Sequence, residues 1–186
     1  MTTFIAGIHG VGKTYLAKPA AVRMGMTYAT ASQLIREERG RASWDASKMV
    51  DDVASNQAAL VAAVSRIKAG GQSLLLDGHF VLRKAVNEHE RLPEAAFRDL
   101  GCTAVVLLTC STKVVLSRLS GRGDDSWSEA EVTSFGRAEA DHAAAACSSL
   151  AVPLVTLQAP ASEEFESVLS GLGEAGAHRE RGGGDG

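Results

Sequence analysis

The chain has few cysteines and no long uninterrupted run of apolar residues. Its three cysteines, Cys102, Cys110 and Cys147, are odd in number and lack metal-site spacing, so we expect reduced thiols. No apolar run approaches the roughly 20 residues that span a bilayer. The first residues also lack the basic segment and apolar core of a signal peptide. These absences predict a cytoplasmic protein with no membrane partner.

An excess of charge of one sign is also missing. The formal net charge is −3, so overall charge gives no reason to expect a nucleic-acid partner. Apolar residues make up 45% and charged residues 22% of the 186 positions, as is usual for a globular domain. We expect one domain over residues 1–170 that binds small molecules. Nothing in the composition argues against an oligomer.

Short apolar runs alternate with segments of helical spacing along most of the chain. The runs predict strands at residues 3–6, 26–29, 73–77, 104–108 and 153–157. The segments between and after them predict helices at 13–24, 32–38, 47–69, 93–99, 112–119, 128–148 and 162–170. Apolar strands that alternate with helices indicate an α/β fold with a doubly wound, five-stranded parallel sheet. The Gly-rich, charged residues 171–186 predict a disordered tail.

The glycine-rich segment after the first strand has the pattern of a phosphate-binding loop, or P-loop. Its glycines allow a tight turn whose N–H groups point at phosphates, and the following helix adds its dipole. We expect Lys13 to reach the β- and γ-phosphates and Thr14 to bind Mg²⁺. A plain glycine turn with a solvated lysine fits the strand–loop–helix context poorly. The predicted nucleotide-binding residues are Gly7, His9, Gly10, Val11, Gly12, Lys13, Thr14 and Tyr15.

The second substrate must be recognised by residues outside this loop. Asp77 ends the third predicted strand, where a doubly wound sheet binds ligands, and could hold magnesium waters or orient a hydroxyl. Arg36 and Arg83 follow the second and third strands, where their planar forks could hold a phosphorylated acceptor. Taken singly, each arginine is better explained as a surface residue.

Three further arginines lie near a glycine-bearing stretch. Arg118 and Arg122 are four residues apart at a helix end, and Arg137 lies in the next helix. Together they could stabilise the charge of a transferring phosphoryl group, although a solvated i,i+4 pair is the simpler alternative for the first two. Gly121 and Gly123 flank Arg122 and give the backbone freedom that a closing lid requires.

Several motifs of the chain occur together in one known family. The P-loop is similar to G-x-P-G-V-G-K-[ST], and residues 76–83, LDGHFVLR, are similar to [LI]-D-T-H-x-V-I-R. Residues 30–36 resemble S-T-G-D-M-L-R, residues 118–122 the pattern R-x-x-x-R, and residues 134–137 the motif F-A-R. With these motifs, residues 1–158 resemble the adenylate-kinase-type nucleoside monophosphate kinases, most closely the archaeal-type adenylate kinases.

The resemblance implies transfer of a phosphoryl group from ATP, with Mg²⁺, to a nucleoside monophosphate, most simply AMP. It implies acceptor-binding helices within residues 30–70 and a short lid at 118–128, with Arg118 near the donor adenine. The implied catalytic residues are Lys13, Asp77, Arg83, Arg122 and Arg137. The implied acceptor-binding residues are Ser32, Arg36, Gly78, His79 and Arg83, and the implied magnesium site is Thr14 with Asp77 acting through water.

The chain departs from these kinases at three places. His9 replaces the usual proline, Gln33 replaces an aspartate, and the lid has only a few residues between Arg122 and Ser128. A short lid excludes water less well, which predicts some ATP hydrolysis without acceptor. Two other functions stay open: a kinase of another small metabolite, in which Asp77 serves a hydroxyl acceptor, and a nucleotide-dependent regulatory ATPase.

Overall fold

Five apolar segments form one parallel sheet in the computed structural model, which describes residues 1–40 and 53–182. Its strands are β1 (Thr2–Ala6), β2 (Thr27–Thr30), β3 (Leu74–Asp77), β6 (Ala104–Thr109) and β7 (Leu154–Gln158). Two more strands, β4 (Val81–Ala85) and β5 (Glu88–Arg91), form a separate two-stranded sheet. The sheet has the order β2-β3-β1-β6-β7, and all its pairs are parallel. The predicted five-stranded sheet is therefore confirmed, with the P-loop strand β1 at its centre.

Helices cover both faces of this sheet. They are α1 (Lys13–Arg23), α2 (Ala31–Arg39), α3 (Val53–Ala69), α4 (Glu94–Leu100), α5 (Thr112–Ser120), α6 (Glu129–Ser149) and α7 (Ser162–Gly182). Helix α1 packs against α7 and β1–β3, whereas α6 packs against α4, α5 and the strands β6 and β7. Every residue of β1 and β3 is buried, as expected for strands covered on both faces. No helix in the described ranges is long and apolar enough to cross a bilayer.

The structure differs from the sequence prediction in two elements. Strands β4 and β5 form an antiparallel hairpin that was not predicted, because its charged residues hide any apolar run; Asn87 turns it with a φ of 58°. Helix α7 continues to Gly182, past the predicted helix end at residue 170 and into the predicted tail. Alanine and charged residues there favour a helix despite the glycines. Residues 41–52, which include the predicted start of the helix at 47–69, and residues 183–186 lie outside the described residues.

Three phenylalanines pack together beneath the end of β3. The rings of Phe4 and Phe80 meet edge to face at 5.3 Å, and those of Phe80 and Phe97 stack at 4.1 Å. All three residues are buried. Aromatic pairs of this kind add about 0.5–1.5 kcal/mol beyond their buried area. The cluster therefore fixes the direction of the chain as it leaves Asp77.

Gly78 passes so close to this cluster that a side chain would not fit. A Cβ at Gly78 would lie 2.6 Å from Cζ of Phe4, whose ring has no room to move. We expect Gly78→Ala to lower the free energy of unfolding by about 1–3 kcal/mol, measured by urea denaturation. Gly171→Ala is the control, since an added Cβ there meets no atom within 4 Å. Equal stability of Gly78→Ala and the wild type would contradict the close packing.

Candidate functional site

The loop between β1 and α1 has the backbone of a phosphate-binding loop. Gly7, Gly10 and Gly12 have φ values of 134°, 82° and 107°, which side chains rarely tolerate. A Cβ at Gly7 would lie 2.4 Å from the carbonyl oxygen of Leu108 in β6. The three glycines are thus needed for both the turn and its fit to the sheet, and α1 begins at Lys13 directly after them.

The ammonium group of Lys13 is buried at the centre of this loop. The residue is 7% exposed, and Nζ donates to the carbonyl oxygens of Gly7 and, at 3.4 Å, of Ile8. Nζ also lies 3.7 Å from Oδ1 of Asp77. Burial lowers the pKa of Lys13, and the nearby carboxylates of Asp77 and Glu139 oppose that shift. These neighbours compensate the buried positive charge.

A hydroxyl and a carboxylate meet beside Lys13. Oγ1 of Thr14 lies 3.3 Å from Oδ2 of Asp77, and the Tyr28 hydroxyl donates to the same carboxylate oxygen at 2.9 Å. Burial raises the pKa of Tyr28 to about 12, so the phenol keeps its proton. Oxygen ligands of this kind suit Mg²⁺, which usually takes only one or two protein ligands and completes its shell with phosphates and water. Thr14 and Asp77 therefore fit the predicted magnesium site.

Two histidines border the P-loop. Nε2 of His79 lies 3.1 Å from Nζ of Lys13, and because an ammonium only donates, Nε2 accepts and the ring proton is on Nδ1. The rings of His79 and His9 are 4.5 Å apart. Loss of water around the rings and the charge of Lys13 lower the pKa of His9 to about 4 and that of His79 well below its usual value. Both imidazoles are therefore neutral near pH 7.

One cavity of about 700 Å³ connects the P-loop with α2, α3 and β4. Its lining includes most of the predicted site, namely His9, Gly10, Gly12, Lys13, Thr14, Tyr15, Ser32, Arg36, Asp77, Gly78, His79, Arg83 and Arg122. Asn56 and Gln57 of α3 line it as well and were not predicted. The predicted donor and acceptor residues thus share one continuous space.

The two predicted acceptor arginines have different surroundings. Arg36 is exposed on α2, and its Nε donates to the carbonyl oxygen of Ser32 at 3.2 Å. Arg83 is held by a bidentate pair with Glu131, at 2.7 and 2.9 Å, and by two hydrogen bonds to Ser126. Its guanidinium also stacks 3.8 Å above the Trp127 ring. Arg83 lines the cavity, but its fork is bound to the protein.

The three predicted phosphoryl-site arginines do not converge. Arg118 donates to the carbonyl oxygens of Gly10 and Val11 at 2.9 and 3.0 Å, so it braces the P-loop. Arg122 lines the cavity. The Arg137 side chain is 84% exposed, lies 3.6 Å from the Asp141 carboxylate and does not line the cavity in this structure. Arg137 comes about half a turn after buried Phe135 and therefore lies on the outer face of α6.

The predicted lid, residues 118–128, is the end of α5 and the turn before α6. Asp124 accepts hydrogen bonds from Nε1 of Trp127 at 2.9 Å and from Oγ of Ser126 at 2.7 Å, and these bonds lower the pKa of the Asp124 carboxyl. Ser128 accepts from the backbone N–H of Glu131, as its capping motif predicts. The carboxylate of Glu131 accepts hydrogen bonds from Arg83. The lid is thus joined to the β4–β5 hairpin through Arg83.

Sequence reasoning missed two further polar residues of the site. Tyr28 follows no motif and reaches Asp77 only through the pairing of β2 with β3. Glu139 is buried on α6, and its carboxylate accepts N–H groups from both Gly7 and the start of β4. One signal was present in the sequence: Glu131, Phe135, Glu139 and Ala143 follow at four-residue spacing, which places two glutamates on the apolar face of α6.

One family model and several solved structures are similar to this chain. The family model of the AAA domain matches residues 6–132. None of the curated proteins matches the chain. A putative kinase from Chloroflexus aurantiacus is 16% identical, with a TM-score of 0.59, and the alignment covers 94% of this chain and 96% of that one.

Two other solved structures share the fold. A shikimate kinase from Acinetobacter baumannii is 13% identical, with a TM-score of 0.58 and coverage of 94% of this chain and 93% of that one. A gluconokinase from Sinorhizobium meliloti is 14% identical, with a TM-score of 0.53 and coverage of 98% and 96%. These similarities establish the fold of a P-loop kinase. With the match over residues 6–132, the chain belongs to the AAA domain family.

Proposed function

We propose that the protein transfers the γ-phosphoryl group of ATP, with Mg²⁺, to a small metabolite. The observation that carries this proposal is one cavity that joins Lys13, Thr14 and Asp77 to the wall formed by α2 and α3, which has both polar and apolar residues. A switch ATPase needs a phosphate loop and a metal site but no pocket for a second substrate beside them. The cavity therefore favours a phosphotransferase.

The residues of the loop divide the work of binding the donor. The loop amides and the N-terminus of α1 bind the phosphates, and Lys13 exchanges the carbonyls of Gly7 and Ile8 for phosphate oxygens. Thr14 and, through water, Asp77 would hold Mg²⁺, which would neutralise charge that develops on the phosphate oxygens. The acceptor oxygen attacks the γ-phosphorus as the bond to the leaving ADP oxygen breaks. Arg122 lines the cavity and can add positive charge to it.

The acceptor wall suits a small molecule that has hydroxyl groups and one anionic group. Arg36 supplies a planar cationic fork, while Ser32, Asn56 and Gln57 supply hydrogen-bonding groups. Two of the solved kinases with this fold are named for shikimate and gluconate, both small metabolites. Asp77 lies where it can orient an acceptor hydroxyl as well as magnesium waters. We therefore propose a hydroxyl as the attacking group.

A nucleoside monophosphate, AMP above all, is the second candidate acceptor. It is favoured by one observation: Arg36 and Arg83 line the same cavity, as the resemblance to adenylate-kinase-type enzymes requires. To hold a phosphate with its full fork, however, Arg83 must give up Glu131, which is fully buried. That exchange leaves a buried carboxylate without its partner and is costly. The monophosphate reading therefore ranks below the hydroxyl acceptor.

A radiolabel assay with [γ-³²P]ATP and a panel of acceptors tests the acceptor class. We expect transfer to small hydroxy acids in preference to AMP. Arg36→Ala should raise the acceptor KM about tenfold or more, because a charge-assisted hydrogen bond is lost, and should change the KM for ATP little. Arg23→Ala is the control, since Arg23 pairs with Glu166 at the far end of α1. Transfer only to AMP would support the second candidate, and ATP hydrolysis with no transfer to any acceptor of the panel would contradict both.

Lys13→Ala tests the assignment of the phosphate loop. We expect turnover to fall at least about 100-fold, because the ammonium stabilises phosphate charge in the transition state. The fold should persist, as judged by circular dichroism. Lys18→Ala, on the exposed face of the same helix, is the matched control and should keep wild-type turnover. Loss of less than about tenfold in Lys13→Ala, roughly 1.4 kcal/mol, is incompatible with the assignment.

Arg83→Ala tests whether the lid depends on its anchor. The substitution removes four hydrogen bonds and the stacking on Trp127, so amides of residues 120–127 should exchange hydrogen faster than in the wild type. Hydrogen exchange followed by mass spectrometry measures this. Arg91→Ala, on the neighbouring strand, should leave exchange in the lid unchanged. If Arg83→Ala exchanges at the wild-type rate, the anchor does not hold the lid.

A further inference from the structure

We infer that Glu139 is a positioning residue of the phosphate site, which holds the P-loop and the segment after Asp77 at a fixed separation. The inference rests on the proposed function for its effect on the nucleotide, but its geometric part does not. Oε1 of Glu139 accepts the N–H of Gly7 at 3.1 Å and that of Phe80 at 3.0 Å. Oε2 accepts from Phe80 at 2.9 Å and from Val81 at 2.8 Å. One carboxylate thus binds three backbone N–H groups from two segments.

These two segments leave the sheet side by side and then separate. Strands β1 and β3 are paired through Ile5 and Asp77, and the last bond in that series runs from the N–H of Gly78 to the carbonyl oxygen of Ile5. Beyond it, β1 continues into the P-loop, and β3 continues through His79 into β4. Without Glu139, the N–H groups of Gly7, Phe80 and Val81 would lose an acceptor in a buried region. Glu139 therefore extends the connection between β1 and β3 past the end of the sheet.

The connection determines where the reactive groups lie. Gly7 is the first residue of the P-loop, and its carbonyl oxygen accepts a hydrogen bond from Nζ of Lys13. Phe80 directly follows His79, whose ring accepts from the same ammonium. A shift between the two segments would therefore change the distances from Lys13 to both Asp77 and His79. Glu139 touches none of the reacting atoms; it acts through the backbone that it holds and through its charge near Lys13.

A carboxylate suits this task better than a neutral side chain. An ionised carboxylate offers about four lone-pair positions and no donor, so it can accept all three N–H groups. The glutamate is 1% exposed. Burial raises its pKa, whereas the three N–H groups and the charge of Lys13 act in the opposite direction. The negative charge also helps to compensate Lys13. An amide would keep the shape but set an NH₂ group against a backbone N–H.

Glu139→Gln tests the inference in two ways, with the full chain. We expect the Kd of a non-hydrolysable ATP analogue, measured by calorimetry in the presence of Mg²⁺, to rise about tenfold or more. We also compare the variant with the wild type, both without nucleotide. We expect the ¹⁵N amide resonances of Lys13 and Thr14 to differ between the two proteins, as well as those of Gly7, Phe80 and Val81. The stability control is Leu169→Ala, which removes a buried side chain of α7. It should lower the melting temperature and leave both the Kd and these resonances unchanged.

The outcomes separate a positioning role from a purely structural one. If Glu139→Gln melts earlier but binds the analogue with wild-type affinity and keeps the Lys13 and Thr14 resonances, the inference is overturned. If the wild type itself fails to bind the analogue, the proposed function fails, and the resonances alone decide the role of Glu139. Should Glu139→Gln not fold, Glu139→Asp replaces it: the shorter carboxylate keeps the charge but cannot span both segments. We expect the same shifts in smaller size, and their absence would overturn the inference.

Discussion

The arrangement of the rest of the site depends on the buried ammonium of Lys13. A charge taken out of water is costly unless other groups compensate it. Here compensation comes from loop carbonyls, from Asp77 at the end of β3 and from Glu139 on α6. Three elements that are distant in sequence must therefore meet at one point. The glycines of the P-loop serve the same purpose. They let the loop turn tightly around Nζ, which is the condition for Nζ to reach the carbonyl oxygens of its own loop.

The local parts of this arrangement were accessible from the sequence, and the long-range parts were not. Strand runs, the P-loop and Asp77 at a strand end follow from patterns within a few residues. Glu139 contacts Gly7 across 132 positions, so no local pattern could pair them. Arg137 was assigned by motif similarity, and the structure shows it on the outer face of α6, opposite the buried Phe135. The β4–β5 hairpin was not predicted because its strands are short and charged. The extension of α7 beyond Gly171 was not predicted because the glycine content of that segment suggested disorder.

The surroundings of Arg83 change how an acceptor can be recognised. As an isolated residue after β3, it resembles a phosphate-binding arginine. In the structure it neutralises Glu131, which is fully buried, and covers Trp127. Without Arg83 the Glu131 carboxylate would keep, within the described residues, only the N–H of Asn87, and an acceptor phosphate would have to recover this loss through new contacts. Arg36 bears no such cost, since it is exposed on α2. In the proposed function, recognition of an anionic group on the acceptor therefore falls mainly to Arg36.

Helix α6 contacts both the segment that includes Arg83 and the P-loop. Glu131 and Glu139 are eight residues apart, about 12 Å along the helix, and both are buried on its inner face. Glu131 holds Arg83 and with it the lid, while Glu139 holds Gly7 and the start of β4. Both glutamates also bind the β4–β5 hairpin, Glu131 through Arg83 and the N–H of Asn87, and Glu139 through Phe80 and Val81. A helix of 21 residues packed against the sheet is a stiff element, so it fixes the distance between the carboxylate that binds Arg83 and the carboxylate that binds Gly7.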